Sequence, residues 1–351
     1  MSTYTQNSLP KLKILIFGAG AIGTYIGGSL QLAGQQVVFI ERPEISKALA
    51  KSGLTITHHD TSRHIDHPVF ADTIEDALHL GPYDLSICAI KSYDTASLVN
   101  ELTPYAIALP PLISFQNGVE NESAFAKILG EDRVIAGTVT TAIGRKGAGD
   151  IVVEKLRGIG IERDHLLSPT ITAILNAAGL NANMVNGAQD MKWSKMLTNL
   201  LANASSAILN MPPSQIYANR KLFALEIRQF MEAVRVMKAQ NLKVVSLPGT
   251  PVRLLTWVIT TLPLWISQPV LKNALGKGRG AKMPSFHIDL YLGRGKSEVD
   301  YLNGAVVRFG EKCGIPTPVN KHLTKILLAL TDGTTPKEKY AGKPDVLLEG
   351  L

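Results

Sequence analysis

The stretch KILIFGAGAIGTYIGGSLQLAGQQVVFI, residues 13–40, decides the fold of the N-terminal part of this chain. Its first apolar run, Lys13–Phe17, ends at Gly18 and is typical of a buried parallel strand. Residues 21–33 then show helical periodicity, and Val37–Ile40 forms a second apolar run. The stretch therefore predicts a β-α-β unit with a glycine-rich turn directly after its first strand.

Strands and helices continue to alternate up to about residue 185. Apolar runs predict further strands at 84–90, 111–115, 134–141, 151–154 and 158–162. From Asp190 onward the periodicity is helical, with predicted helices at 190–209, 219–240, 285–313 and 318–331. We therefore predict an α/β fold, in which a Rossmann-type, doubly wound parallel sheet (residues 1–187) is followed by an all-α C-terminal domain (residues 188–351).

The composition excludes several classes of protein. The chain has 36 Lys and Arg against 29 Asp and Glu, but six of the basic residues and no acidic residue lie between Lys243 and Lys282. Because the excess charge is local, we expect no nucleic acid partner. Two cysteines exclude a disulfide framework. The N-terminus has no basic region before its first apolar run, so we expect a cytoplasmic protein.

The turn GAGAIG, residues 18–23, matches the GxGxxG pattern that cradles a dinucleotide pyrophosphate. The pattern is specific here because it joins a strand to a helix, whose N-terminus favours anions. Glu41 and Arg42 follow the second strand, at the position where dinucleotide-binding folds contact the cofactor ribose. Glu41 would bind a ribose 2′-hydroxyl and favour NAD, whereas Arg42 would bind a 2′-phosphate and favour NADP.

Polar residues at helical spacing mark a second candidate site. Lys195, Asn199 and Asn203 are spaced i, i+4 and i+8, which places them on one face of the predicted helix 190–209. A lysine there could protonate a carbonyl oxygen while a hydride reaches the carbon, and asparagines could hold a substrate. A solvated stripe between two packed faces is the alternative, because such spacing is common on amphipathic helices.

A second polar group lies further along the chain, and two residues follow predicted strands. Ser285 and Glu298 belong to the group, while Lys91 and Asn117 follow strands at the edge where α/β sheets bind ligands. A surface salt bridge for Glu298 and a simple Asn-Gly turn at Asn117 are the alternatives. Four histidines between His58 and His67 fit no zinc spacing, so we predict no metal site.

Residues 254–271, LLTWVITTLPLWISQPVL, form an apolar stretch in the middle of a basic insertion at about 244–284. The stretch is short for a membrane span and Pro263 interrupts it. It is interpreted as a wall over the substrate site or an oligomer contact, since apolar segments are mostly buried. Contact of residues 254–282 with a membrane surface is the alternative.

Taken together, these residues resemble the ketopantoate reductase (2-dehydropantoate 2-reductase) family. Five motifs occur in the family's order: GAGAIG at 18–23, AIKSYD at 89–94, QNGVE at 116–120, KWSKMLTNLLAN at 192–203 and SEVDYLNG at 297–304. The resemblance implies NADPH-dependent reduction of a 2-oxo acid, ketopantoate, to pantoate on the route to pantothenate and coenzyme A. It also implies that the helical domain binds substrate and forms a homodimer.

The resemblance also implies a role for each matching residue. Lys195 would be the general acid, with Glu298 as the second catalytic residue beside cofactor and substrate. Substrate contacts would come from Asn199, Asn203 and Ser285. Arg42 would favour NADP over NAD. The implied cofactor residues are Gly18, Ala19, Gly20, Ala21, Ile22, Gly23, Arg42, Lys91, Asn117 and Ala142.

Two features depart from the family pattern and leave the substrate open. Met211-Pro212-Pro213 stands where the family often has a further polar substrate contact, and the connection at 244–284 is longer. One alternative is therefore the same fold and cofactor acting on a different 2-oxo acid or an imine. A second alternative is a dinucleotide-sensing protein without turnover.

Overall fold

The computed structural model describes residues 9–272 and 283–351. The chain divides into two compact units. The first comprises the residues up to Gln116, with Asn121–Met191 and Leu247–Thr250. The second comprises Asn117–Glu120, Lys192–Ser246 and the described residues from Pro251 onward. The C-terminal part of the basic insertion, with Lys277, Arg279 and Lys282, lies outside the described residues.

The first unit contains the strands and six helices among the residues described. The strands are β1 Lys13–Phe17, β2 Gln36–Ile40, β3 Leu54–His58, β4 Thr61–Ile65, β5 Val69–Ala71, β6 Leu85–Cys88, β7 Leu112–Ser114, β8 Val134–Val139, β9 Ala142–Gly147, β10 Asp150–Lys155, β11 Ile159–Glu162 and β12 Ala182–Val185. The helices are α1 Ala21–Leu32, α2 Pro43–Ser52, α3 Ile74–His79, α4 Thr95–Leu102, α5 Asn121–Leu129 and α6 Ser168–Ala177.

The remaining helices belong to the second unit, except that α7 begins in the first. They are α7 Ala188–Leu200, α8 Ala204–Leu209, α9 Pro213–Ala218, α10 Arg220–Ala239, α11 Val252–Thr261, α12 Leu264–Leu271, α13 Ser285–Tyr291, α14 Val299–Cys313, α15 Pro318–Thr331 and α16 Pro344–Leu348. Within the described part of the chain, no helix is both long and apolar enough to cross a membrane.

Eight strands form one mostly parallel sheet, in the order β12-β11-β8-β7-β6-β1-β2-β5. β1 pairs in parallel with β2 on one side and with β6 on the other, so the strand order reverses at β1. Alternate β1 residues enter two separate cores: Ile14 and Ile16 in one, Leu15 and Phe17 in the other. Burial on both faces explains the unbroken apolar run, and the predicted α/β class with a helical C-terminal domain is confirmed.

A second, four-stranded sheet in the order β4-β3-β10-β9 was not predicted. Ile151–Glu154 lies in β10 of this sheet, so its interpretation as part of the doubly wound sheet is wrong. The β3–β4 hairpin carries three of the four clustered histidines, His58, His59 and His64. Only one face of β3 is buried, through Leu54 and Ile56, and two apolar residues give a weak pattern.

The predicted helix 190–209 is wrong in one respect, because it breaks after Leu200. Residues 201–203 form a turn, in which Ala202 has the left-handed φ of +51°, before α8 begins. Lys195 and Asn199 therefore share α7, whereas Asn203 stands at the start of the next helix. The helix predicted at 285–313 also divides, since Gly293 and Gly295 take φ values of +67° and +65° between α13 and α14.

The break between α7 and α8 is held by Glu226, a fully buried residue of α10. Its carboxylate accepts hydrogen bonds from the Ala202 N–H and the Ser205 hydroxyl, both at 2.6 Å. The amide of Gln229 donates to the same carboxylate and to the Leu200 carbonyl. These contacts satisfy backbone groups that the interrupted helix leaves without intrahelical partners.

We expect Glu226→Ala to lower the free energy of unfolding by about 3 kcal/mol, because buried donors lose a charged acceptor. Glu311→Ala, which removes an exposed ion pair to Lys321 in the same unit, should cost less than about 1 kcal/mol. Urea denaturation followed by circular dichroism measures both changes. Equal effects of the two variants would show that Glu226 does not hold the break.

Candidate functional site

The glycine loop has a separate physical requirement at each of its three glycines. Gly18 has φ +93°, and a Cβ there would lie 2.9 Å from Cγ2 of Ile90. A Cβ on Gly23 would lie 1.9 Å from the Gly18 carbonyl oxygen, which excludes any side chain. A Cβ on Gly20 would meet no protein atom within 4 Å. The first and third glycines therefore build the turn, while the second leaves open space at the loop.

The loop leads into the N-terminus of α1, which is suited to an anion. Gly20 is the N-cap residue and provides no capping side chain, and the first turn contains no acidic residue. Amide groups at such a terminus and the helix dipole both favour a phosphate. The open space at Gly20 and the uncapped helix end fit the pyrophosphate of a dinucleotide, held by residues 18–23.

Glu41 and Arg42 take different positions at the end of β2. One carboxylate oxygen of Glu41 accepts from the Ala19 N–H at 3.0 Å, and the other accepts from the Arg42 N–H at 3.0 Å. The Arg42 side chain is 77% exposed, and its Nε lies 3.7 Å from the Glu41 carboxylate. Glu41 thus binds the glycine loop directly, whereas the guanidinium of Arg42 extends into solvent.

Lys91 and Ala142 also belong to the first unit. Lys91 follows β6 at the point where strand order reverses, one residue after the Ile90 that packs against Gly18. Ala142 begins β9, next to Thr141, whose hydroxyl receives a 3.4 Å hydrogen bond from Tyr25 of α1. Burial raises the pKa of Tyr25 more than this bond lowers it, so the phenol remains a proton donor.

In the second unit the structure brings Asn199 and Asn117 into contact, one helical turn from Lys195. Lys195 and Asn199 lie one turn apart on half-buried positions of α7, separated by about 6 Å along the helix axis. The Asn199 side-chain amide donates to the Asn117 Oδ1 at 3.0 Å. Asn117, implied as a cofactor residue, is therefore bonded to a residue implied for the substrate.

Asn203 holds the N-terminus of the helix that carries Ser285. Its Oδ1 accepts from the Phe286 N–H at 3.1 Å, and its Nδ2 lies 3.5 Å from the Ser285 hydroxyl. The N-cap residue of α13, Pro284, offers no capping side chain, so Asn203 supplies the cap from another helix. Asn203 is thus paired with Ser285, and it does not share the helix face of Lys195 and Asn199 that the sequence predicted.

Glu298 is buried at the N-cap of α14, with 1% of its surface exposed. Glu298 therefore does not lie at the surface, and Arg294 pairs with Asp289 at 2.7 Å. A buried carboxylate is costly unless it interacts with polar groups. Glu298, a residue of the motif 297–304, thus lies buried at the start of α14.

The sequence did not identify an ionic cluster that joins two of the motifs. Arg308 of α14 contacts Glu120 at 2.5 Å and Asp300 at 3.0 Å. Partial burial lowers the pKa of Arg308, but Glu120 and then Asp300 outweigh it and raise the pKa above its ordinary value. The i, i+8 spacing of Asp300 and Arg308 on one helix is a sequence signal for their ion pair. Glu120 has no such signal, because it lies 188 residues from Arg308.

The histidine of β4, His64, is engaged in ordinary polar contacts. The Nδ1 of His64 lies 2.9 Å from the Thr55 hydroxyl, and its Nε2 lies 3.7 Å from Asp66. Across residues 9–272 and 283–351, no group of three or more His, Cys, Asp or Glu is placed to hold a metal ion.

We expect Gly20→Ala to leave the melting temperature unchanged but weaken dinucleotide binding at least about tenfold, because the added methyl occupies the open space that the phosphates need. Gly23→Ala should instead reduce folded protein, since its Cβ meets the Gly18 carbonyl. Thermal melts and fluorescence titration with NADPH and NADH measure both effects. Unchanged affinity of the folded Gly20→Ala variant would contradict the phosphate assignment.

Comparison with known proteins places these motifs in one family. The model described as ketopantoate reductase PanE/ApbA matches residues 14–163, and its C-terminal counterpart matches residues 188–331. A 2-dehydropantoate 2-reductase from Archaeoglobus fulgidus is 26% identical over 327 residues, covering 92% of this chain and 98% of the relative.

Solved structures show the same arrangement of elements. A PanE/ApbA family ketopantoate reductase from Ralstonia eutropha is 26% identical with a TM-score of 0.77, covering 92% of this chain and 99% of that one. D-mandelate dehydrogenase, solved with NADH and anilino(oxo)acetate, shares the fold at 20% identity and a TM-score of 0.73, covering 92% and 99%. With both family models matched in order, this chain belongs to the ketopantoate reductase family.

Proposed function

We propose that this protein reduces ketopantoate (2-dehydropantoate) to pantoate with NADPH. The observation that carries the proposal is the group of Lys195, Asn199 and Asn117, which combines a proton donor with two amides within hydrogen-bond distance of one another. The relatives named as 2-dehydropantoate 2-reductases, which align over nine-tenths of the chain, support the same substrate.

Reduction of a 2-oxo acid requires one hydride at the ketone carbon and one proton at the ketone oxygen. When bound, the nicotinamide cofactor supplies the hydride. Lys195 donates the proton from Nζ to the oxygen, becomes a neutral amine and regains its proton from water. α7 anchors Lys195 between the buried residues Ser194 and Met196, which limits the range of positions that its ammonium group can reach.

The neighbouring polar groups orient the substrate for this transfer. The amides of Asn199 and Asn203 and the hydroxyl of Ser285 are suited to the carboxylate and the hydroxyl of ketopantoate. Asn203 also caps α13 and so fixes the position of Ser285. Glu298, buried at the start of α14, is the second residue that we assign to catalysis, as a neighbour of substrate and cofactor.

The cofactor assignment rests on the residues that follow β2. The exposed guanidinium of Arg42 is suited to the 2′-phosphate of NADPH, to which it would form charge-assisted hydrogen bonds. The hydrogen bond from the Ala19 N–H to Glu41 supports a second candidate, NADH, since it places a carboxylate where a ribose diol is bound in many dinucleotide folds.

We expect purified protein to oxidise NADPH, measured by absorbance, when ketopantoate is added. Lys195→Ala should lower kcat by about 10²- to 10⁴-fold, because proton transfer loses its donor, while NADPH affinity stays unchanged. Lys192→Ala is not a suitable control, because Lys192 is buried, so the exposed Lys238→Ala serves instead.

Assays with other 2-oxo acids and with imines distinguish ketopantoate reduction from the two alternatives, a different substrate and a protein without turnover. Turnover of a bulkier 2-oxo acid or an imine, with negligible turnover of ketopantoate, would replace the proposed substrate and agree with the apolar Met211-Pro212-Pro213 stretch. NADPH binding without turnover of any substrate would favour the dinucleotide-sensing alternative. Full activity of Lys195→Ala would show that another group donates the proton.

We expect Arg42→Ala to raise the KM for NADPH about 10- to 100-fold and to leave the KM for NADH unchanged, because only NADPH carries the phosphate. Glu41→Gln tests the second candidate in the same assay. A wild-type preference for NADH, together with a higher KM for NADH in Glu41→Gln, would reverse the cofactor assignment.

A further inference from the structure

We propose that the outer face of α11 and α12 docks this protein on the surface of an anionic lipid bilayer. We call this the tryptophan face. It comprises large exposed apolar residues of the two helices and the basic residues at their ends: Arg253, Leu254, Trp257, Leu264, Trp265 and Lys272.

The tryptophan face exposes large apolar side chains close together. Trp257 is 55% exposed and Trp265 is 74% exposed, and Leu254 and Leu264 are exposed beside them. Exposure in the single chain leaves these side chains available to an external partner, as both the oligomer contact and the membrane contact considered from sequence require. Single exposed apolar residues are ordinary on a protein surface, but four within the twelve positions from 254 to 265 indicate an interaction surface.

An ordinary surface helix is apolar only on its buried side, whereas α11 has apolar residues on both sides. Val252 and Ile259 are buried against the rest of the unit, while Trp257 faces outward, as Trp265 does on α12. In α11 the outward positions 253, 254, 257 and 261 follow helical periodicity, so they form one continuous stripe. Helices that lie in a bilayer interface present such a stripe of Trp and Leu to the acyl chains.

The tryptophan face is fixed to the unit on its inner side. Both α11 and α12 contact α10, and Gln268 donates to the Tyr217 carbonyl at 3.2 Å. Only Leu262 and Pro263 connect the two helices. Because the face is built before any lipid binds, docking does not require a segment of the chain to become ordered.

Charge identifies the lipid as anionic. Arg253 stands at the start of α11 and Lys272 directly after α12, so the apolar stripe has a cation at each end. The sequence between 243 and 282 has six basic residues and no acidic residue. Basic side chains beside an apolar face bind acidic headgroups while the apolar residues enter the interface.

The same charges argue against a second copy of this chain as the occupant. A two-fold dimer through this face would place the same surface on both sides of the interface. Two copies of a basic segment without acidic residues would then oppose each other, and like charges repel most strongly when water is excluded. An anionic bilayer supplies the opposite charge that a second copy lacks.

The first test is intrinsic fluorescence of the full chain mixed with vesicles. The chain has three tryptophans, of which Trp193 is fully buried, so a change in emission reports Trp257 and Trp265. Vesicles of phosphatidylglycerol and phosphatidylcholine should shift the emission to the blue, whereas pure phosphatidylcholine should not. High salt should weaken the binding, because screening shortens the reach of the charges from about 10 Å to about 3 Å.

The second test is vesicle flotation of variants. Trp257→Ala with Trp265→Ala should lower the bound fraction about tenfold or more, whereas Ile107→Ala with Leu166→Ala, which removes exposed apolar residues elsewhere, should not. Arg253→Glu with Lys272→Glu should weaken binding far more than Lys47→Glu with Lys155→Glu, although both pairs change the net charge equally.

Three results would overturn the proposal. The protein could remain unbound in the presence of anionic vesicles, or bind equally well without its two exposed tryptophans. Light scattering could also show a dimer that is lost in the double tryptophan variant and does not bind vesicles, which would identify a second copy as the occupant. Ketopantoate turnover of each variant confirms that the folded unit is intact.

Discussion

The hydrogen bonds to the buried carboxylate of Glu226 are the constraint on which the helical unit depends. They hold a helix break at a place where the sequence Leu200-Leu201-Ala202-Asn203 contains neither proline nor glycine. The left-handed conformation of Ala202 is unfavourable for a residue with a side chain, so it persists only because Glu226 and Gln229 bind the groups on both sides of it. The hydrogen bonds of the Glu226 side chain thus keep Asn199 on α7 and Asn203 at the start of α8.

That separation gives the two asparagines different partners. On one uninterrupted helix, Asn203 would continue the stripe of Lys195 and Asn199. The turn instead moves it to the start of α8, where its amide caps α13 and contacts Ser285. The buried carboxylate of Glu226 is in turn part of a larger polar network. In this network Gln229 accepts a hydrogen bond from Asn303, and Glu232 accepts one from the Val319 N–H in the first turn of α15. A network of this kind is stable only when its members are mutually satisfied.

The sequence was sufficient wherever a structural requirement is local. The apolar run Lys13–Phe17 and the glycines after it specify the β-α-β unit, since strand burial and turn geometry act within a few residues. The helix break and the Glu120–Arg308 pair were missed because their causes are distant in sequence, and the second sheet was missed because a half-buried strand such as β3 gives a weak apolar pattern. The outward position of Trp257 was also unpredictable, because periodicity shows that a face exists but not which face packs inward.

α10 connects the proposed chemistry to the proposed membrane surface. It contributes Glu226, which holds the break beside Asn203, and it also contacts α11 and α12, which carry the tryptophan face. Because the tryptophan face is already formed in the free protein, binding a bilayer at α11 and α12 requires no rearrangement of α10 and leaves the hydrogen bonds of Glu226 in place. Docking would then set where the enzyme works and leave the chemistry of Lys195 unchanged, which agrees with a basic excess that is confined to this one segment.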